Sequence, residues 1–140
     1  MRAFILLVAF WAGFAMLAVP ARAFADDDVA GAQGVIRAQE QAFGRDDAAS
    51  AYSYAAPALR EIFPSPDIFM NMVQRGYGPV YRHKSFEFGE AKAEGGVIAQ
   101  RVHIIDANGE AWEALYTLQA QPDGSLKITG CSLLKAGQAV

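Results

Sequence analysis

Side chains able to move a proton or hold a metal are sparse in this chain. Its two histidines, His83 and His103, and its lone cysteine, Cys131, have no spacing that would gather the three or four ligands of a zinc site. His103 and Glu113 are expected to face each other across a strand pair. They form either a catalytic dyad or, the reading the pattern favours, a surface cross-strand pair of about 0.2–1 kcal/mol. Arg82, His83 and Lys84 stand in a row before Phe86 and Phe88. Strict alternation would carry Arg82 and Lys84 inward with the phenylalanines, onto a rim that attracts an anion. An irregular strand start leaves all three solvated, and the cost of burying unpaired charge favours that. Asp67 and Glu61 read as helix-capping and solvated acids.

The remaining candidates are neutral. Gln39, Gln100 and Tyr116, with Tyr77 and Ser132 near them, are hydrogen-bonding groups predicted on one inner face. Phe69, Met72 and Trp112 supply apolar walls. A few convergent polar groups in an apolar setting are how small-ligand pockets are built. The competing reading is a core network in which the amides and phenol satisfy one another. No catalytic residue, metal ligand or cofactor-binding group is assigned.

The elements that must position these residues divide near Gly78-Pro79. Before it the apolar spacing is helical: Val29, Ala32, Ile36, Gln39 and Phe43 share one face, after the acids Asp26 to Asp28 and before Gly44. Asp46 or Asp47 caps a second short helix that Pro57 ends. Ser65-Pro66-Asp67 opens a third, with a hydroxyl cap, a proline at the first helical position and an acid at the positive helix end. After Pro79 the period is two. Glu94-Gly95-Gly96 makes a turn, and Asp106-Ala107-Asn108-Gly109 and Gln121-Pro122-Asp123-Gly124 each have the build of a type I turn with a left-handed glycine bulge.

Such loops set register. The first places Ile104 opposite Trp112, Val102 opposite Ala114, Gln100 opposite Tyr116 and Ile98 opposite Leu118. The second places Leu118 opposite Ile128, Tyr116 opposite Gly130 and Trp112 opposite Leu134. The shared inner face is then Ile98, Val102, Ile104, Trp112, Tyr116, Leu118, Leu126, Ile128 and Leu134, with no Asp, Glu or His contributed by the two hairpins. Ile105, Leu115, Cys131 and Leu133 fall on the outer face, an apolar patch large enough to suggest an interface unless the tail, Ala136 to Val140, covers it.

Composition narrows the functional classes. Twelve Lys and Arg against fifteen Asp and Glu give a net charge of −3, with no basic run, which argues against nucleic acid. A lone cysteine forms no internal disulfide and is expected buried. Met1-Arg2, the charge-free run Ala3 to Val19, Pro20 and the step Ala23-Phe24-Ala25 form the layout of a secretory signal peptide. The competing reading is a membrane anchor. Cleavage after Ala25 is expected, after Ala23 as second choice, leaving residues 26–140 as one domain, exported to the periplasm, without a stable membrane anchor.

Helices followed by a curved antiparallel sheet resemble the cone fold of nuclear transport factor 2, ketosteroid isomerase and the polyketide cyclases. More narrowly, Ile36-x-x-Gln39-x-x-Ala42-Phe43, Phe69-Met70-x-Met72-Val73-x-x-x-Tyr77-x-Pro79-Val80 and Asp123-Gly124-x-x-x-Ile128-x-Gly130-Cys131 are similar to an exported bacterial family, domain of unknown function 4864. The likeness implies a fold and a compartment but no activity. Isomerases of the cone fold place a carboxylate or imidazole on the inner face, for which no counterpart is evident. Dimerisation through the outer sheet face, here Ile105, Leu115, Cys131 and Leu133, is what the likeness implies about partners. The sequence therefore predicts an α+β cone, N-terminal helices on a curved antiparallel sheet of about four strands. The leading function is non-enzymatic binding of a small apolar or weakly polar ligand. A homodimerisation or interaction module is the alternative, and an isomerase or hydratase the second alternative.

Overall fold

The structure is a computed structural model that describes residues 21–137, with side chains from Asp27 onward. The expected leader, 1–25, lies outside the described residues apart from the helical backbone of its last five. Five helices precede four strands: α1 (Ala21–Gly44), α2 (Ala48–Ser53), α3 (Pro57–Ile62), α4 (Pro66–Gly76), α5 (Gly78–Tyr81), β1 (His83–Glu94), β2 (Val97–Asp106), β3 (Ala111–Ala120) and β4 (Leu126–Lys135). The strands form one curved antiparallel sheet in the order β1-β2-β3-β4, and the helices cover its inner face. The arrangement is α+β.

Local chemistry explains most of these bounds. The inward stripe of α1 is as spaced, with Ala32, Ile36, Gln39 and Phe43 all buried. Asp47 accepts the Ser50 backbone N–H at 3.0 Å and caps α2. Ser65 accepts from Ile68 N at 3.2 Å and caps α4, with Pro66 in the first turn. Pro57 does not end a helix, as the sequence reading expected: it opens α3, and Pro79 likewise lies in the first turn of α5. Helix α2 already ends at Ser53, before Pro57 is reached, and proline suits the start of α3 because it lacks only an N–H that a first turn leaves unused.

Both predicted turns are present. Gly109 and Gly124 have φ of +85°, and Asp106 N and Gln121 N donate to Glu110 O at 2.9 Å and Ser125 O at 2.7 Å. The β2–β3 register follows the turn from Ile104↔Trp112 through Gln100↔Tyr116 to Ile98↔Leu118. His103 does pair with Glu113, but the carboxylate is engaged by Arg101 Nη1 at 3.1 Å. The His103 ring instead lies against Gly89, where a Cβ would come within 2.5 Å of its Nε2.

The β3–β4 register departs from expectation after Leu118↔Ile128. Thr117 pairs with Gly130, leaving Thr129 as a bulge, so Tyr116 faces Cys131 rather than Gly130 and Trp112 faces Lys135 rather than Leu134. Ile128 is fixed from outside the hairpin, accepting from Ala56 N and donating to Tyr54 O, both at 2.8 Å. Thr129 Oγ1 bonds Thr117 Oγ1 at 2.9 Å. One inserted residue exchanges the faces of everything beyond it. Cys131 and Leu133 therefore pack on the inner side against the core, while Ser132 and Leu134, expected inside, pair with the outer-face residues Leu115 and Glu113. Of the expected outer patch, Ile105 and Leu115 remain.

A second bulge, at Lys84, corrects the reading of β1. Partners jump from His83↔Asp106 to Ser85↔Ile105. Lys84 and Arg82 are exposed as expected, but His83 is not solvated: its side chain is 16% exposed.

Candidate functional site

A partly enclosed cavity of about 180 Å³ lies between the helices and the β3–β4 half of the sheet. Helix α1 contributes Gln39 and Phe43, α4 contributes Phe69, Met72 and Val73, and the sheet contributes Tyr116, Ile128 and Cys131. Tyr77 closes one side from the end of α4, and Leu59 and Phe63 do so from α3 and the residue after it. The wall is largely aromatic. Phe69 sits at its centre, with ring centroids 6.3 Å from Phe43, 5.7 Å from Tyr52 and 6.2 Å from Phe63, distances at which rings attract beyond their buried area.

No charged side chain is part of the lining, and its titratable groups are held neutral. Burial, reinforced by the neighbouring Cys131, keeps the Tyr116 hydroxyl well above the ordinary phenol range, and burial also raises Tyr77. Burial pushes the Cys131 thiol up to about 12, against a smaller opposing effect of the nearby Tyr116 hydroxyl. Tyr77 Oη donates to the Cys131 carbonyl at 2.9 Å. Gln39 Nε2 donates to Ala51 O at 3.1 Å.

Of the seven residues that the sequence assigns to a site, Gln39, Tyr77, Tyr116, Phe69 and Met72 meet at this cavity, and Gln100 and Trp112 do not. Gln100 is completely buried and belongs to a self-satisfied network. Its Nε2 donates to Gly89 O at 3.0 Å and Arg101 O at 2.7 Å, and its Oε1 accepts from Gln33 Nε2 at 3.1 Å. The amide is consumed by the bulge between Phe88 and Ala91, where the ladder cannot supply those partners. Trp112 is half-buried beside the β2–β3 turn, and its indole N–H donates to Asp106 Oδ2 at 2.9 Å.

Asp106 is thus a buried acid that the sequence reading placed only in the turn. Its oxygens are occupied by the indole and by the backbone N–H groups of Asn108 and Glu110, and these bonds, the indole first, lower its pKa. Sequence reasoning missed a second charged group on the inner side. Glu40 accepts from Arg37 Nη1 at 2.7 Å and lies 3.5 Å from His83 Nε2, whose Nδ1 is 3.0 Å from Pro79 O. The Arg37 guanidinium also covers the rings of Phe86 and Phe88 at 5.3 and 4.8 Å. The signal for Glu40 was present, since it follows Ile36 by four residues and precedes Phe43 by three. Neither Glu40 nor His83 lines the cavity.

Among the described residues no cluster of three or more His, Cys, Asp or Glu could hold a metal ion, and no helix is long and apolar enough to cross a membrane. The arrangement can surround a compact apolar molecule and offer it neutral hydrogen bonds. It presents no carboxylate or imidazole to such a molecule. No curated protein and no solved structure matches the chain. The model of the family described as Domain of unknown function (DUF4864) matches residues 24–139, and the chain belongs to that family.

Proposed function

We propose that this protein is an exported, non-enzymatic binding domain that holds a small apolar or weakly polar molecule between its helices and its sheet. The observation that carries the reading is the cavity of about 180 Å³, walled by aromatic and aliphatic side chains and lined by no charge. Covering the apolar surface of such a partly enclosed cleft removes it from water and is favourable, and an engineered cavity of about 150 Å³ binds benzene. Proton-transfer chemistry is disfavoured because Glu40 and His83 point their polar atoms at Arg37, Pro79 and each other. Helices gathered on one face of a curved meander support reading the domain as a cone of the nuclear transport factor 2 type.

Export follows from the leader pattern and is compatible with the packing of α1. Among the described side chains, Asp27 and Asp28 are exposed and the first buried one is Ala32, so the residues that follow the expected cut after Ala25 begin outside the core. It would also place the three aspartates at the positive end of the shortened helix.

Cys131 offers the test, because it lines the cavity. With its thiol raised to about 12, it should alkylate slowly at neutral pH in the folded protein. Toluene at ten times its dissociation constant should slow that reaction by roughly a further tenfold, the share of protein left unbound. An alkylation rate indifferent to saturating toluene would remove the cavity as the binding site.

A further inference from the structure

We infer that the ligand of this cavity is a neutral, ring-sized apolar molecule carrying one hydrogen-bond donor, which the side-chain oxygen of Gln39 accepts; the inference rests on the binding reading above. Gln39 is only 4% exposed and sits in the cavity wall. Its Nε2 faces Ala51 O. A carbonyl can only accept, so that contact fixes the orientation of the amide and turns Oε1 away from it. Oε1 has no hydrogen-bond partner among the described residues. No completely hidden side-chain nitrogen or oxygen there lacks a partner either, so Oε1 retains accessible surface, and the surface Gln39 borders is the cavity.

The other polar groups of the wall do not meet this need. The Tyr77 hydroxyl hydrogen is committed to Cys131 O, and the Tyr116 hydroxyl, beside the Cys131 side chain, makes no hydrogen bond to Oε1. What Oε1 leaves unfilled is therefore a donor, supplied from outside. An ionised ligand would enter with no counter-charge in the lining, which penalises it. Size sets the rest: about 180 Å³ against the roughly 150 Å³ that hold benzene admits one substituted ring or a compact bicycle, and Phe43, Phe63 and Phe69 present ring surfaces to it.

Indole, indene and benzofuran share one shape and differ in offering a donor, neither group, or an acceptor. Titrated into the full chain and followed by amide NMR shifts, all three should bind, with indole tighter than indene by roughly five- to tenfold, the worth of one hydrogen bond. Benzofuran should be no better than indene, and indole-2-carboxylate should be weaker than indole. Gln39→Leu should erase the indole preference while keeping indene affinity. If that variant fails to fold for want of the Ala51 contact, the ranking in the unaltered protein still decides the matter. Equal affinities for indole and indene, a preference for benzofuran, or tighter binding of the carboxylate would overturn the donor requirement while leaving apolar binding in place. Binding of none of them would overturn both.

Discussion

Phe69→Ala should destabilise the domain by about 3–5 kcal/mol and abolish protection of Cys131 by toluene. Phe69 is 5% exposed and touches three other rings, so truncation removes a large buried side chain and opens the cavity it walls. Phe→Ala in well-packed cores falls in that range, the upper part applying where neighbours cannot collapse inward. Here they are held from both sides. Phe43 lies on α1, and the Tyr52 hydroxyl donates to Phe63 O at 2.6 Å. The adjacent Ile68, 48% exposed on the same helix, provides the control, since Ile68→Ala should change stability by no more than about 0.5 kcal/mol. Urea unfolding of the three proteins separates the cases. Equal midpoints for the Phe69 variant and the parent would mean that the aromatic wall is not packed as described.

Gln100→Leu should cost about 2–3 kcal/mol without altering ligand binding. Leucine approximates the volume but leaves the carbonyls of Gly89 and Arg101, together with the Gln33 amide, without their buried partner. Stranding such groups costs more than the net worth of the bonds themselves. The split between the two readouts is informative. A side chain of the binding site would change toluene protection of Cys131; one that serves the β1 bulge changes stability alone. A Gln100→Leu protein as stable as the parent but deficient in binding would return this residue to the site that its spacing first suggested.

The reach of the sequence can be traced residue by residue. Turn chemistry acts locally, so Asp106 to Gly109 and Gln121 to Gly124 were legible, and with them the β2–β3 register as far as Ile98↔Leu118. Helix starts at Asp47 and Ser65 were legible for the same reason. Bulges were not. Thr129 is displaced because Ile128 is tied to Tyr54 and Ala56, more than seventy residues earlier, and no pattern within β4 reports that tie. Its effect on the site is large: it carries Cys131 from the outer face into the cavity wall and takes Leu133 from the expected interface. The bulge at Lys84 brought His83 to Glu40 in the same hidden way. Gln39, Tyr77, Tyr116, Phe69 and Met72 meet at the cavity because helical spacing and strand parity place them without reference to the bulges at Thr129 and Lys84. Gln100 has the right parity too, but a neighbouring backbone irregularity claimed its amide first.

Native mass spectrometry of the protein purified from the exported fraction, followed by incubation with indene, tests the central claim most directly. The account predicts a chain beginning at Asp26 that carries a neutral organic molecule in part of the population. Indene should displace that molecule one for one, and the Phe69→Ala protein should hold neither. A bare polypeptide that acquires no indene at saturation would contradict it.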